Sequence, residues 1–216
     1  MAEFALLILA AVIALIWRLA PRIRPRPFPA VREPAAAPER VPLPAAMPAP
    51  VERFYRGVYP DGLPLITSAV ISGRGTLRVG RVLLTARFRF THAAGRAYEH
   101  RIEAGWLGLM FLRIRERYED GAARLEFPVG VVENEPKVNQ GANLALWAES
   151  MWLPAVLLTD PRVRWEPVDA HTAMLTVPFQ GGEERFVVRF DPDTGLPALW
   201  SPCATRRPTA RRRRCG

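Results

Sequence analysis

From residue 65 to residue 190 the chain is a succession of short strand-like segments, and it is interrupted once. The interruption, residues 139–169 (NQGANLALWAESMWLPAVLLTDPRVRWEPVD), carries Leu144, Trp147, Ala148, Met151 and Trp152 at three- and four-residue spacing. On a helix that spacing stacks these side chains into one apolar stripe, with Asn143 and Glu149 directed elsewhere. Such a stripe has to be buried, and the strands on either side are the surface at hand. The expected fold class is α+β and mostly antiparallel β, with a curved open sheet or half-barrel wrapping an amphipathic helix.

The strand signals come in series. Residues 65–77 are rich in β-branched side chains, and residues 82–91 alternate Phe88 and Phe90 against Arg87 and Arg89. Further strands are expected at 98–104, 109–118 and 123–132, with turns at Gly95, Gly105 and Asp120-Gly121. After the helix, 162–167, 172–179 and 184–190 repeat the pattern around Gly181-Gly182 and the turn at 191–195. A short helix opens the domain, with Val51, Phe54, Tyr55 and Val58 on one side and Pro60 and Asp61-Gly62 as its stop.

The N-terminus has a different composition. Phe4 to Trp17 is an uninterrupted apolar run, with Arg18, Arg22, Arg24 and Arg26 after it and no Lys or Arg before it. That asymmetry argues against a cleaved signal peptide and for one N-terminal transmembrane helix over residues 1–20. The expected location is thus the inner (cytoplasmic) membrane, single-pass, with the globular domain on the cytoplasmic side where the arginines stay. Residues 21–50 are rich in Pro, Ala and Arg and read as an extended linker, either free in solvent or resting on anionic headgroups. Residues 51–200 form the β-rich globular domain, and 201–216 an Arg-rich disordered tail.

Charge narrows the choice of partner. The net charge is +9, yet residues 51–200 hold 18 Lys plus Arg and 18 Asp plus Glu, so the excess sits at the two ends. A nucleic-acid-binding domain carries its basic patch on its own folded surface, and no nucleic-acid partner is expected. Arg113, Arg115 and Arg117 share one strand face. They either meet an anionic ligand or pair across strands with Glu99, Glu103, Glu116 and Glu126. The histidines, His92, His100 and His171, have no metal-ligand spacing, and Ser68, Ser72 and Ser150 have no nucleophile-elbow setting, so neither a catalytic set, a metal nor a cofactor is expected. Cys203 and Cys215 lie in the tail, and the domain needs no disulfide.

Aromatic residues give the strongest lead to a site. Trp106, Trp147, Trp152, Trp165 and Trp200, with Phe111, Phe127 and Met151, either line a concave apolar space or fill it. The expected ligand-binding set is Trp106, Phe111, Trp147, Met151, Trp152 and Trp165.

The segments RFYRGVYPDGLPLITSAVISGRGTLRVG, LWAESMWLPAVLLTDPRVRWEPVDAHTAMLTV and FDPDTGLPALW together resemble an uncharacterised bacterial family, a domain of unknown function. The resemblance rests on a tryptophan-proline step after a helix and on a Trp-Glu-Pro strand, here Trp152, Pro154, Trp165, Glu166 and Pro167, and it brings no assigned activity. The order of elements is also similar to the half-barrel lipoprotein carriers of the LolA and LolB type, which implies a cavity for acyl chains by analogy of fold alone. The expected function is that of a membrane-tethered, non-catalytic domain binding an apolar ligand or lipid. Its alternative is a scaffold with a filled core that contacts another protein, and an enzyme is the third class.

Overall fold

The computed structural model describes residues 2–19, 22–31 and 37–203. In chain order its elements are α1 (Ala2–Leu19), β1 (Arg40–Val41), α2 (Ala49–Val58), β2 (Leu63–Pro64), β3 (Ser68–Val79), β4 (Val82–Ala93), β5 (Ala97–Trp106) and β6 (Leu109–Glu119). There follow β7 (Ala122–Phe127), β8 (Gly130–Glu133), α3 (Pro136–Glu149), a 3-10 turn at Ser150–Trp152, and α4 (Val156–Thr159). The chain ends in β9 (Arg164–Pro167), β10 (Thr172–Phe179), β11 (Gly182–Phe190) and β12 (Pro197–Pro202). The described residues divide into two compact units, one within 2–31, 70–92 and 98–135, the other within 37–69, 93–97 and 136–203.

Two expectations of overall architecture are corrected. In place of a single curved sheet or half-barrel around one helix, the strands form separate sheets of two, four and six strands, and none of them closes into a barrel. The strands before α3 pair only with one another, as do those after it, and within the six- and four-stranded sheets the neighbours are consecutive in sequence. The expected transmembrane helix is not found either: among the described residues no helix is long and apolar enough to cross a membrane. Helix α1 has 18 residues and contains Glu3 and Arg18. The apolar run between those charges is roughly 21 Å long at ~1.5 Å per residue, against ~30 Å of hydrocarbon.

The first unit is an antiparallel meander, β3 to β8 in chain order. Asp120 and Gly121 both have positive φ, 51° and 80°, the geometry of a two-residue hairpin whose twist matches the flanking strands. Alternation sorts the faces. On one face of β5 and β6, Ile102 lies opposite Ile114 and Ala104 opposite Leu112, and Leu84, Ala86 and Ala104 form a small core with Leu77, Trp106 and Leu112. On the other face Glu99, Arg101 and Glu103 lie opposite Arg117, Arg115 and Arg113. There Arg115 pairs with Glu99 at 3.1 Å and Arg87 with Glu103 at 2.5 Å. Arg115–Glu99 is an exposed pair, and such pairs contribute ~0–1 kcal/mol, while Arg87–Glu103 is partly buried; together they neutralise the face.

Part of the Pro-rich segment also lies in this unit. The Phe28 ring sits 4.5 Å from the Arg87 guanidinium and 5.1 Å from that of Arg89, and Arg87 donates to the Arg26 carbonyl at 3.1 Å. Two of the three histidines, isolated along the chain, meet here as well. His100 stacks on Tyr98 with centroids 4.1 Å apart and lies 5.8 Å from His92. The Glu116 carboxyl, hydrogen-bonded to His100 and to Tyr98, is held below its ordinary range despite its burial.

The second unit is organised on β10, the inner strand between β9 and β11, with β12 outside β11. Ala173, Leu175 and Val177 are fully buried, as is Thr176, so β10 is covered on both faces. Helices α2 and α3 both pack against it. Pro136 starts α3, a position where its missing N–H costs nothing. The buried face of α3 is Asn139, Ala142, Asn143, Leu146 and Trp147. This is a correction to the expected stripe: Asn143 faces inward and donates to the Pro178 carbonyl at 3.2 Å, while Trp152 is 52% exposed. The helix ends at Glu149, and the tighter 3-10 turn, at three residues per turn, rotates Met151 and Trp152 off the buried face.

Candidate functional site

The second unit contains an apolar pocket of about 250 Å³ built from segments far apart in sequence. Helix α2 brings Phe54 and Tyr55, the 3-10 turn Met151, and the following segment Pro154 and Leu157. The sheet adds Trp165 from β9, Phe190 from β11 and Trp200 from β12, with Leu196 and Pro197 at the rim of the last turn. None of these ten side chains carries a charge.

Two of the three polar side chains of the wall are already engaged. Tyr55, 1% exposed, donates its hydroxyl to the Pro154 carbonyl at 2.7 Å, and Trp165 donates its indole N–H to the Leu157 carbonyl at 3.0 Å. These two bonds fix the floor, because Pro154 and Leu157 are themselves lining residues. Burial, reinforced by the neighbouring Tyr59, pushes the Tyr55 phenol well above its ordinary value, so it stays a neutral donor. The Trp200 indole N–H is buried and has no acceptor among the described residues.

The rings of the wall meet at wide angles. Trp165 and Trp200 are nearly perpendicular, at 86° with centroids 6.3 Å apart. Trp165 and Phe190 make 49°, Phe54 and Phe190 50°, and Phe54 and Tyr55 76°. The result is a rounded hole with ring edges and faces on its sides.

Of the six residues expected to bind ligand, the structure brings Met151 and Trp165 to this pocket. Trp147 belongs to the same unit but is 1% exposed in its core, with Arg162 beside its ring at 5.9 Å. Trp152 is on the surface of that unit. Trp106 and Phe111 belong to the first unit. Trp106 packs on the Leu84 cluster, and Phe111, 63% exposed, lines an open hollow of about 550 Å³ beside Arg101, Arg113 and Arg115. That hollow is larger but mixed in polarity, and its Arg113 and Arg115 already pair with glutamates. The pocket residues that the sequence did not single out are Phe54, Tyr55, Pro154, Leu157, Phe190, Leu196 and Pro197. The signal that could have found some of them is the short helix at α2, whose apolar side holds Phe54 and Tyr55.

Residues 38–209 match the model of a family of unknown function (DUF6544). No curated protein and no solved structure matches the chain, so the likeness to lipoprotein carriers gains no support from them.

Proposed function

Since the chain belongs to a family of unknown function, DUF6544, we propose its role from the geometry of the second unit: it binds a small apolar molecule in the aromatic pocket, without chemical turnover. The observation that carries this reading is a concave space of about 250 Å³ with no charged side chain in its wall, where two of the three hydrogen-bonding side chains, Tyr55 and Trp165, are turned to backbone carbonyls. A ligand there meets mainly carbon and π-faces, and the Trp200 indole N–H is the one polar group of the wall without a partner among the described residues. No Ser, Cys, His, Asp, Glu or Lys lines the space among the described residues, and the one ionisable side chain there, Tyr55, is kept neutral by burial with its hydroxyl bound to the Pro154 carbonyl, which leaves it a poor nucleophile or general base.

Size sets the ligand class. A dry apolar cavity of ~150 Å³ holds benzene, and drug-sized ligands occupy ~300–1,000 Å³. A space of about 250 Å³ takes a small apolar body or one end of a longer one. In this reading the two steps on which the family resemblance rests are wall-building features, since Pro154 and Trp165 both line the pocket.

The test is calorimetric titration of the purified protein with 1-octanol, alongside a Met151→Trp variant. Met151 is 37% exposed at the pocket, so a larger side chain there narrows the space without being forced into the core. We expect one saturable site in the parent protein and at least tenfold weaker binding in the variant. Absence of saturable binding by folded parent protein, or equal binding by the variant, overturns the reading.

A further inference from the structure

We infer that one end of the six-stranded sheet docks on an anionic lipid surface, with the turn between β5 and β6 entering the interface and no element crossing it. The pocket of the second unit plays no part in this.

Chain order decides which residues share that end. In an antiparallel meander the β3–β4 and β5–β6 connections leave the sheet at one end and the β6–β7 connection at the other. The two connections at the first end are Gly80-Arg81 and Leu107-Gly108. Arg87 pairs with Glu103 across β4 and β5, six residues from Arg81 and four from Leu107, so the two turns stand nearly level. Val79, Val82, Leu107 and Leu109 are all exposed there, Leu109 to 72%. The nearest charges, Arg78, Arg81 and Arg113, are exposed too, and residues 77–84 and 104–113 contain no acid. Apolar points backed by guanidinium groups match the two layers of a leaflet, acyl chains beneath anionic phosphates.

The backbone of the β5–β6 turn is a second, independent observation. Leu107 and Gly108 have φ of 52° and 83°, and Asp120 and Gly121 at the opposite end of the sheet have 51° and 80°, so both hairpins are closed by the same kind of turn. Positive φ at both central positions favours Asn or Asp before Gly, and the Asp120 turn follows that rule. The Leu107 turn breaks it. A leucine there crowds its own Cβ against the following carbonyl, and at 42% exposure it recovers little of that cost by burial. An apolar layer that receives the side chain gives this strained position a use.

The N-terminal segment reaches the same turn. Ile23 Cγ2 lies 3.8 Å from where a Cβ on Gly108 would stand, and the exposed Arg22, Arg24 and Arg26 surround it in a stretch, 22–28, without an acid. Helix α1, with Phe4, Leu6 and Leu9 each more than half exposed, ends only four residues before Ile23. It is not long and apolar enough to cross, but it leads further apolar surface to this end. A protein partner needs a surface complementary to its own, whereas a fluid interface closes around side chains that project from separate turns.

The experiment is flotation of the full chain with vesicles of phosphatidylcholine alone and of equal parts phosphatidylcholine and phosphatidylglycerol, for the parent and for Leu107→Asn. Asparagine suits the turn and leaves every arginine in place, and both proteins keep α1 and the Arg-rich C-terminal stretch, so binding due to those is common to both. The parent is expected to bind the anionic vesicles about tenfold more tightly than the neutral ones. Leu107→Asn should lose about tenfold of that affinity and melt no lower than the parent. Equal binding by the variant, or no vesicle binding by folded parent, overturns the inference. A lower melting temperature for the variant shows that Leu107 serves the fold and overturns it as well. Parent protein that dimerises through this end, loses the dimer in Leu107→Asn and ignores vesicles assigns the surface to a second copy instead.

Discussion

Removing a single oxygen atom tests how the pocket floor is held. In Tyr55→Phe the ring stays where it is, in contact with Phe54 at 5.0 Å and Tyr59 at 6.3 Å, and only the hydroxyl that donates to the Pro154 carbonyl is lost. With the tyrosine 1% exposed, water has little access to the stranded carbonyl. Leaving one buried partner unsatisfied costs ~1–3 kcal/mol, and about 2 kcal/mol is expected at pH 7. The size of this gap also depends on pH in a fixed direction. Burial, then Tyr59, raises the folded phenol's pKa, so folding is favoured fully below the unfolded value of ~10 and progressively less as pH climbs past it. Each pH unit above ~10 removes up to ~1.4 kcal/mol from the parent and nothing from the variant. Tyr59 and Tyr118, also raised by burial, titrate in both proteins and cancel in the difference. Urea denaturation followed by tryptophan fluorescence at pH 7 and pH 11 measures both quantities. A gap under ~0.5 kcal/mol at pH 7, or one that widens at pH 11, would refute the reasoning.

Two further substitutions probe the same unit away from the pocket. Gly95 has φ +65°, and a Cβ there would lie 2.5 Å from the Asp160 carboxylate and 3.2 Å from Trp147, so Gly95→Ala should lose at least ~1–2 kcal/mol; a melting temperature within a degree of the parent's would contradict this. The Asp160 carboxyl is pushed up by burial, but hydrogen bonds from Arg162, at 2.6 Å to Oδ2, more than offset that and hold it below its ordinary range. Its contribution is therefore complete above ~4 and lost as pH falls through the lowered folded value. Asp160→Asn should flatten the acid limb of the stability curve below pH ~4, and an acid limb as steep as the parent's in urea titrations would rule that out.

Local chemistry was the legible part of this fold. Asp120-Gly121 marks a hairpin because both residues tolerate positive φ, and alternation along β6 places Arg113, Arg115 and Arg117 on one face wherever that strand packs. The second turn shows the limit of such reading. Gly181-Gly182 looks like the hairpin, but Gln180 and Gly181 take the positive φ and Gly182 already belongs to β11. Helix α3 shows another. Spacing alone groups Met151 and Trp152 with Trp147, but the change to a 3-10 turn after Glu149 alters the angle per residue, and apolar residues past that point face elsewhere.

The strand series also could not say which strands pair. One sheet or several satisfies the same alternation, and the choice is made by tertiary contacts that leave no periodic mark. The pocket was hidden for a related reason. Phe54, Phe190 and Trp200 lie on α2, β11 and β12, and nothing in their sequence separation records that they converge. Met151 and Trp165 were visible as apolar residues beside a helix end and on a strand, but whether their neighbours left space or filled it depended on the angles between rings. At the N-terminus both the apolar run and its being a little short for a bilayer were legible, and the charges of Glu3 and Arg18 that bound it decide against a span.

Location of the bound octanol is the most direct evidence on the central claim. Nuclear Overhauser spectra of isotope-labelled protein with 1-octanol should show cross-peaks from the alcohol's methylenes to the indole protons of Trp165 and Trp200 and to the Met151 methyl, and none to Trp106 of the first unit. Cross-peaks confined to Trp106 or to the exposed Trp152, with the Trp165 and Trp200 signals unaffected at saturation, would contradict it.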